Sequence, residues 1–173
     1  MSDKILVACI GNIFLGDDGF GFEVAQALAA CPLPEGVEVR DYGIRGLDLS
    51  YALLCRWKAV LLVDAIRRGD APGTVYWLEP EEVKPGNDAS LDPHSMDPLR
   101  VLATARSLGG VGAAIYIVGC EPADLGDETE GRIGLSPAVA AAVPEAVKMI
   151  QQVVEKLVTD AVPYLATSTG GAK

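Results

Sequence analysis

Apolar and polar residues follow two rhythms along this chain, and the rhythm changes wherever glycine or proline accumulates. Residues 5–10 (Ile-Leu-Val-Ala-Cys-Ile), 59–63 (Ala-Val-Leu-Leu-Val) and 113–120 (Ala-Ala-Ile-Tyr-Ile-Val-Gly-Cys) are almost continuously apolar. That pattern predicts strands buried on both faces. Residues 37–42 alternate instead, which predicts a half-exposed strand near the sheet edge, and residues 73–78 predict one more strand. Between these runs the period lengthens. Phe20, Val24, Ala27, Leu28 and Cys31 recur at helical spacing until Pro32 and Pro34 stop the helix. Residues 47–55 predict a short helix burying Leu47, Leu49, Leu53 and Leu54, and residues 98–108 a longer one with Leu99, Leu102 and Ala103 inward. Ser136-Pro137 reads as an N-cap followed by proline at the first helical position. It opens a helix with Val139, Val143, Val147, Ile150, Val154 and Leu157 on one face, which Pro144 is expected to split.

Alternating strands and helices predict one α/β domain over residues 1–162: a twisted, mostly parallel sheet with helices on both faces, joined by right-handed crossovers. Residues 163–173 lack a core face and are expected to be a disordered tail. Two stretches escape both rhythms. Residues 79–97 are polar and rich in Pro, Gly, Asn and Asp, and a loop of that length inside a domain is often functional. Residues 121–131 carry Glu121, Asp124, Asp127, Glu128 and Glu130; an ordinary solvated loop is the favoured reading, with a docking role the alternative.

Composition narrows the class. A chain of 173 residues with 50% hydrophobic content is large enough for a full core. A net charge of −10 and a pI near 4.5 argue against nucleic acid or an anionic membrane as partner. No apolar run approaches the roughly 20 residues that span a bilayer, and no basic leader precedes the first strand. Cys9, Cys31, Cys55 and Cys120 are scattered with no C-x-x-C, and Cys9 and Cys120 fall in strand-like runs as small buried residues. A reduced, cytoplasmic monomer is the expected state.

The chemistry begins at Gly11-Asn12-Ile13-Phe14-Leu15-Gly16-Asp17-Asp18-Gly19-Phe20-Gly21, a glycine-rich loop between a strand and a helix. Gly11 and Gly16 have P-loop spacing, but Asp17-Asp18 stands where Lys-Ser/Thr should follow, and two carboxylates repel a phosphate. The glycine spacing does not fit a dinucleotide fingerprint either. Acids at the mouth of such a scaffold suit a cation. Ligands in parallel sheets bind at the carboxyl ends of the strands, where Asp17 and Asp18 follow the first strand and Asp64 ends the third. The 79–97 loop carries His94, the single histidine. Two carboxylates and an imidazole form a mixed O/N site for a borderline transition metal. The plainer alternatives are a solvated His94 and an Asp64 that caps the next turn.

Several ordered pieces resemble the hydrogenase maturation endopeptidases. They are Gly11-Asn12-x-x-Leu15-x-Asp17-Asp18-Gly19-x-Gly21, Asp41-x-Gly43-x-x-Gly46, Val63-Asp64-Ala65, Ala71-Pro72-Gly73-Thr74, Pro93-His94 and Gly134-Leu135-Ser136-Pro137. The resemblance runs to about Leu157 and implies the same sandwiched sheet. It places the family's metal-binding acid, Asp or Glu, on Asp18, its strand-end aspartate on Asp64 and its loop histidine on His94. Asp41 and Gly43 fall near the substrate path in a supporting role.

What the resemblance implies is an endopeptidase acting on the nickel-loaded large-subunit precursor of a nickel–iron hydrogenase, from which it removes a C-terminal extension. The nickel is then the substrate's own, read out by Asp18, Asp64 and His94. Whether the metal only positions the scissile bond, also activates water or carbonyl, or leaves an aspartate as general base stays open. No nucleophile constellation is visible; Ser95 beside His94 is only a sequence neighbour. A non-catalytic nickel-binding chaperone and a nucleotide- or flavin-binding domain are the alternatives from other classes.

Overall fold

The uninterrupted apolar runs need cover on both sides, and the fold supplies it. The computed structural model describes residues 3–82, 97–127 and 129–159. In chain order the elements are β1 (Ile5–Ile10), a 3-10 turn (Gly16–Gly19), α1 (Phe20–Ala29), β2 (Val37–Gly43), α2 (Gly46–Ala52), β3 (Ala59–Ala65) and β4 (Val75–Leu78). A second 3-10 turn (Pro80–Glu82), α3 (Pro98–Leu108), β5 (Ala114–Cys120) and α4 (Pro137–Val158) follow. The strands form one sheet in the order β2-β1-β3-β5-β4. β2, β1, β3 and β5 are parallel, and β4 closes the edge antiparallel to β5.

Strand alternation then sorts two cores. Ile5, Val7 and Cys9 of β1, with Leu61 and Val63 of β3, pack under α1 and α4 against Phe20, Val24, Leu28, Ile150 and Val154. Leu6, Ala8 and Ile10, with Val60 and Leu62, pack under α2 and α3 against Leu49, Leu53, Val101 and Leu102. All six residues of β1 are buried, which is why its sequence does not alternate. Gly21 lets α1 start directly on the strand ends: a Cβ there would collide with the Ile10 carbonyl and crowd that of Val63.

Several expectations need correction in detail. Leu49 and Leu53, four residues apart, are buried, whereas Leu47 and Leu54 are exposed, because α2 touches the core along one narrow line. In α3 the buried stripe is Pro98, Val101, Leu102 and Ala105. Leu99 is half-buried and Ala103 exposed, because the stripe starts from the buried Pro98. Pro144 does not split the last helix. α4 runs unbroken for 22 residues, with Pro144 on its exposed side and the buried stripe continuing from Ala142 to Ala146 and Val147. Residues 73–74 belong to a turn, with Gly73 at φ 87°, and the strand starts at Val75. The expected tail, 163–173, lies outside the described residues.

Candidate active site

β1 leads to β2 on one side of the sheet and lies beside β3 on the other, so a topological switch point falls between β1 and β3. Ligands bind at the carboxyl edge of such a point, and there the loop after β1 meets Asp64 at the end of β3. The Gly11 N–H donates to the Gly43 carbonyl at 3.0 Å, tying the ends of β1 and β2 together. The Asn12 N–H donates to Asp18 Oδ2 at 2.8 Å, and Asn12 Oδ1 in turn accepts from the Phe14 N–H at 2.9 Å. Gly11 has φ 138°, and a Cβ there would overlap the Asp18 carbonyl while standing 3.9 Å from Asp64 Oδ1. This glycine is therefore the spacer that lets the Asp18 segment lie against Asp64.

Two of the expected ligands are thus brought together. Asp64 is only 4% exposed, and Oδ1 accepts from the Ala65 N–H at 2.8 Å. Burial pushes its carboxyl well above the usual range, the Asp18 charge pushes it further, and the charge of Asp97 adds to this against the Ala65 hydrogen bond. Asp18 is half-buried, and burial raises its carboxyl as well, partly offset by the Asn12 N–H. Asp97, at the end of the 79–97 stretch, caps α3 by accepting from the Leu99 N–H at 2.9 Å and adds negative charge to the site. Asp64 does not reach freely into solvent, because it lies near the end of a central strand. His94 lies outside the described residues. Among the described residues, no group of three or more His, Cys, Asp or Glu side chains is placed to hold a metal ion.

Asp17, next to Asp18 in sequence, does something different. Its side chain is completely buried and turned into the protein. Oδ2 accepts from the Ala123 N–H at 2.8 Å, the Asp124 N–H at 2.9 Å and the Ser136 hydroxyl at 2.9 Å, and Oδ1 accepts from the Ser136 N–H at 2.6 Å. Burial pushes this carboxyl up, but these donors together outweigh it and hold it below the usual range. Ser136 thus spends its hydroxyl on Asp17 and makes no side-chain cap to α4. The sequence signal for this clamp is only the adjacency of two acids, which does not say which one faces inward.

The supporting residues act through backbone. Asp41 Oδ1 accepts from the Gly43 N–H at 2.9 Å, and Gly43 takes φ 54° so that its carbonyl can meet Gly11. The Asp41 side chain lies on the α1 face with Val37 and Val39, whereas Asp64 alternates to the α2/α3 face. Arg45 donates to the carbonyls of Tyr42 at 3.1 Å and Asp41 at 2.6 Å, bracing the same turn. The acidic 121–131 stretch is not simply solvated. Glu121 is buried and accepts from the Arg68 N–H at 2.7 Å, the Gly69 N–H at 3.3 Å and the Tyr76 hydroxyl at 2.7 Å. Asp127 and Glu130 are exposed, and Glu128 lies outside the described residues. The four cysteines are free, as expected. Burial raises the thiols of both Cys9 and Cys120, the latter to about 12, so neither is an activated nucleophile.

A profile of hydrogenase maturation proteases matches residues 22–153. The chain belongs to the hydrogenase maturation protease family. It is 30% identical to the hydrogenase 2 maturation protease of Escherichia coli over 161 residues, covering 92% of this chain and 96% of that one. It is 31% identical to the hydrogenase expression/formation protein HupD of Rhodobacter capsulatus over 155 residues, covering 86% of this chain and 72% of that one. In three dimensions it is similar to the hydrogenase maturating endopeptidase HybD from E. coli, with a TM-score of 0.71, 29% identity, and coverage of 88% of this chain and 93% of the other. The chain is therefore a peptidase, and its carboxylate pair is the candidate active site of a maturation protease. No described helix of this maturation protease is long and apolar enough to cross a membrane.

Proposed function

We propose that this maturation protease removes the C-terminal extension of a nickel-loaded large-subunit precursor of a nickel–iron hydrogenase, and that Asp18, Asp64 and His94 read out the precursor's nickel. The observation that carries this reading is the pairing of Asp18 and Asp64 at the switch point. Two neighbouring carboxylates with raised pKa values, one of them buried, are unfavourable as a pair of anions. A divalent cation relieves that repulsion, so the donor set fits a metal delivered by the substrate. With His94 as third donor the set is mixed O/N, suited to a borderline ion such as nickel.

Asp18 and Asp64 then hold the metal-bearing end of the precursor, and the Asn12 N–H and Ala65 N–H fix the carboxylates' orientation. Fixing the scissile bond in this way is worth several kcal/mol of barrier on its own. Held there, the precursor's metal would supply Lewis acidity toward the carbonyl or a bound water. Asp41 and Gly43 support the site by bracing Gly11 through the backbone.

The test is processing of a nickel-loaded precursor, followed as a gel shift, together with elemental analysis of the purified protein. The expected result is far less than one equivalent of resident metal and cleavage without added metal. His94→Ala is expected to abolish cleavage and Asp18→Glu to retain it. Tightly held stoichiometric zinc required for turnover, or wild-type cleavage by His94→Ala, sinks the readout proposal. Tight precursor binding without cleavage makes the protein a nickel-binding chaperone instead.

A further inference from the structure

Exposed apolar side chains stand on three segments joined to the β1 loop that carries Asp18. Phe14 (57% exposed) and Ile13 stand on the β1 loop, Leu47 (60%), Ile44 and Tyr51 on the turn and helix after β2, and Ile133 (79%) on the segment before α4. Isolated exposed apolar residues are ordinary on a soluble protein, whereas a group bordering a site marks an interaction surface. Their backbones are firmly held. The Arg132 N–H donates to the Phe14 carbonyl at 2.7 Å, and the Gly16 N–H to the Arg132 carbonyl at 2.7 Å, which locks Ile133's segment against the β1 loop. Asp17 grips both ends of the β5–α4 connection, at Ala123 and Asp124 and at Ser136. The Gly11–Gly43 hydrogen bond joins the β1 loop to the turn carrying Ile44 and Leu47. The chain thus holds large apolar groups out in water on a braced framework.

We propose that this apolar rim is the docking surface for the folded body of the polypeptide that the peptidase cleaves, and that it fits an apolar surface bordering the scissile segment. The inference rests on the proposed function, and continuity with the site selects the occupant. Ile13 and Phe14 share a loop with Asp18, and Asn12 bonds the Asp18 carboxylate directly, so a polypeptide placed at Asp18 must cover them. A second copy of this chain is disfavoured because each carries a net charge of −10. The rim recognises the partner by apolar area, and the carboxylates read the end that enters between them.

The experiment compares the wild type with the triple variant Phe14→Ser, Leu47→Ser, Ile133→Ser. It measures binding and processing of the nickel-loaded precursor, melting temperature, and mass by sedimentation equilibrium. The expected result is a rise in KM and Kd of about tenfold or more, with kcat within about twofold and the melting temperature unchanged. A control, Leu108→Ser with Val158→Ser, removes exposed apolar groups at the ends of α3 and α4 and is expected to change nothing. Should the triple variant fold poorly, Ile133→Ser alone is expected to raise KM severalfold. Unchanged KM and Kd overturn the proposal. So does a wild-type dimer that dissociates on substitution, which assigns the rim to a second copy. A wild type that neither binds nor cleaves the precursor overturns the proposed function and the rim's occupant together. Normal cleavage by both wild type and variant overturns the rim alone.

Discussion

Asp17 and Asp18 are consecutive and chemically identical, yet they sit in opposite surroundings. The region around Asp17 is satisfied: a buried carboxylate with four hydrogen bonds from residues more than a hundred positions away, and a pKa held low. The region around Asp18 and Asp64 is frustrated: two carboxylates pushed up by burial and, at Asp64, also by the charges of Asp18 and Asp97. The first arrangement builds the wall of the site and the second leaves chemistry undone. A buried acid with its donors in place contributes stability, whereas one held beside a second acid costs stability and marks function.

Substitutions at the two positions should therefore diverge. The largest effect is expected at Asp64. Asp64→Asn keeps an oxygen for the Ala65 N–H but removes the charge, so precursor processing should fall by at least about a hundredfold. Its melting temperature should equal or exceed that of the wild type, because a disfavoured buried charge is gone. A variant that loses stability along with activity would break the comparison, since Asp64 would then be structural.

Asp17→Ala should show the reverse balance. It strands the N–H groups of Ala123, Asp124 and Ser136, and a loss of about 3 kcal/mol is expected from chemical denaturation. The remaining processing activity, measured well below the melting point, should exceed that of Asp64→Asn. Equal stability of wild type and Asp17→Ala would show that the clamp contributes nothing.

The smallest expected effect sharpens the contrast through pH. Asp17 has a folded pKa below its unfolded value, near 3.9, so its contribution is present above about pH 4 and is lost as pH falls through the lowered folded value. Asp64 has a raised folded pKa, so its contribution is full below about pH 4 and declines as pH rises to that raised value. Urea midpoints of Asp64→Asn should therefore fall less between pH 4 and neutrality than those of the wild type. Parallel curves would place Asp64 outside the frustrated pair.

Much of the fold is legible because its causes are local or periodic. The run 59–63 carries no polar residue, and at strand length a central parallel strand covered on both faces accommodates that. Pro98 and Leu108 bound α3 as expected, since a capping Asp97 and a proline at the first turn define its start and Gly109 follows its end. Helix faces were less legible. Leu47 and Ala103 look inward by composition, but which side of a short helix is covered depends on its rotation against partners elsewhere in the chain. Pro144 reads as a break, yet its ring faces solvent and one lost hydrogen bond does not end a helix whose other side is packed.

The sequence by itself determined the strand and helix runs and the carboxyl edge at which acids accumulate, because hydrophobic period and parallel topology constrain these directly, whereas the adjacency of β1 and β3 that sets the β1 loop against Asp64 comes from the strand order. It did not determine which of two adjacent aspartates turns inward. That choice belongs to tertiary structure, because the 3-10 turn at Gly16–Gly19 directs the two side chains apart and the donors that capture Asp17 come from Ala123, Asp124 and Ser136. Nothing local to the Asp-Asp pair encodes those partners. They exist only once β5 has placed its following loop across the end of β1, satisfying one carboxylate completely and leaving Asp18 beside Asp64.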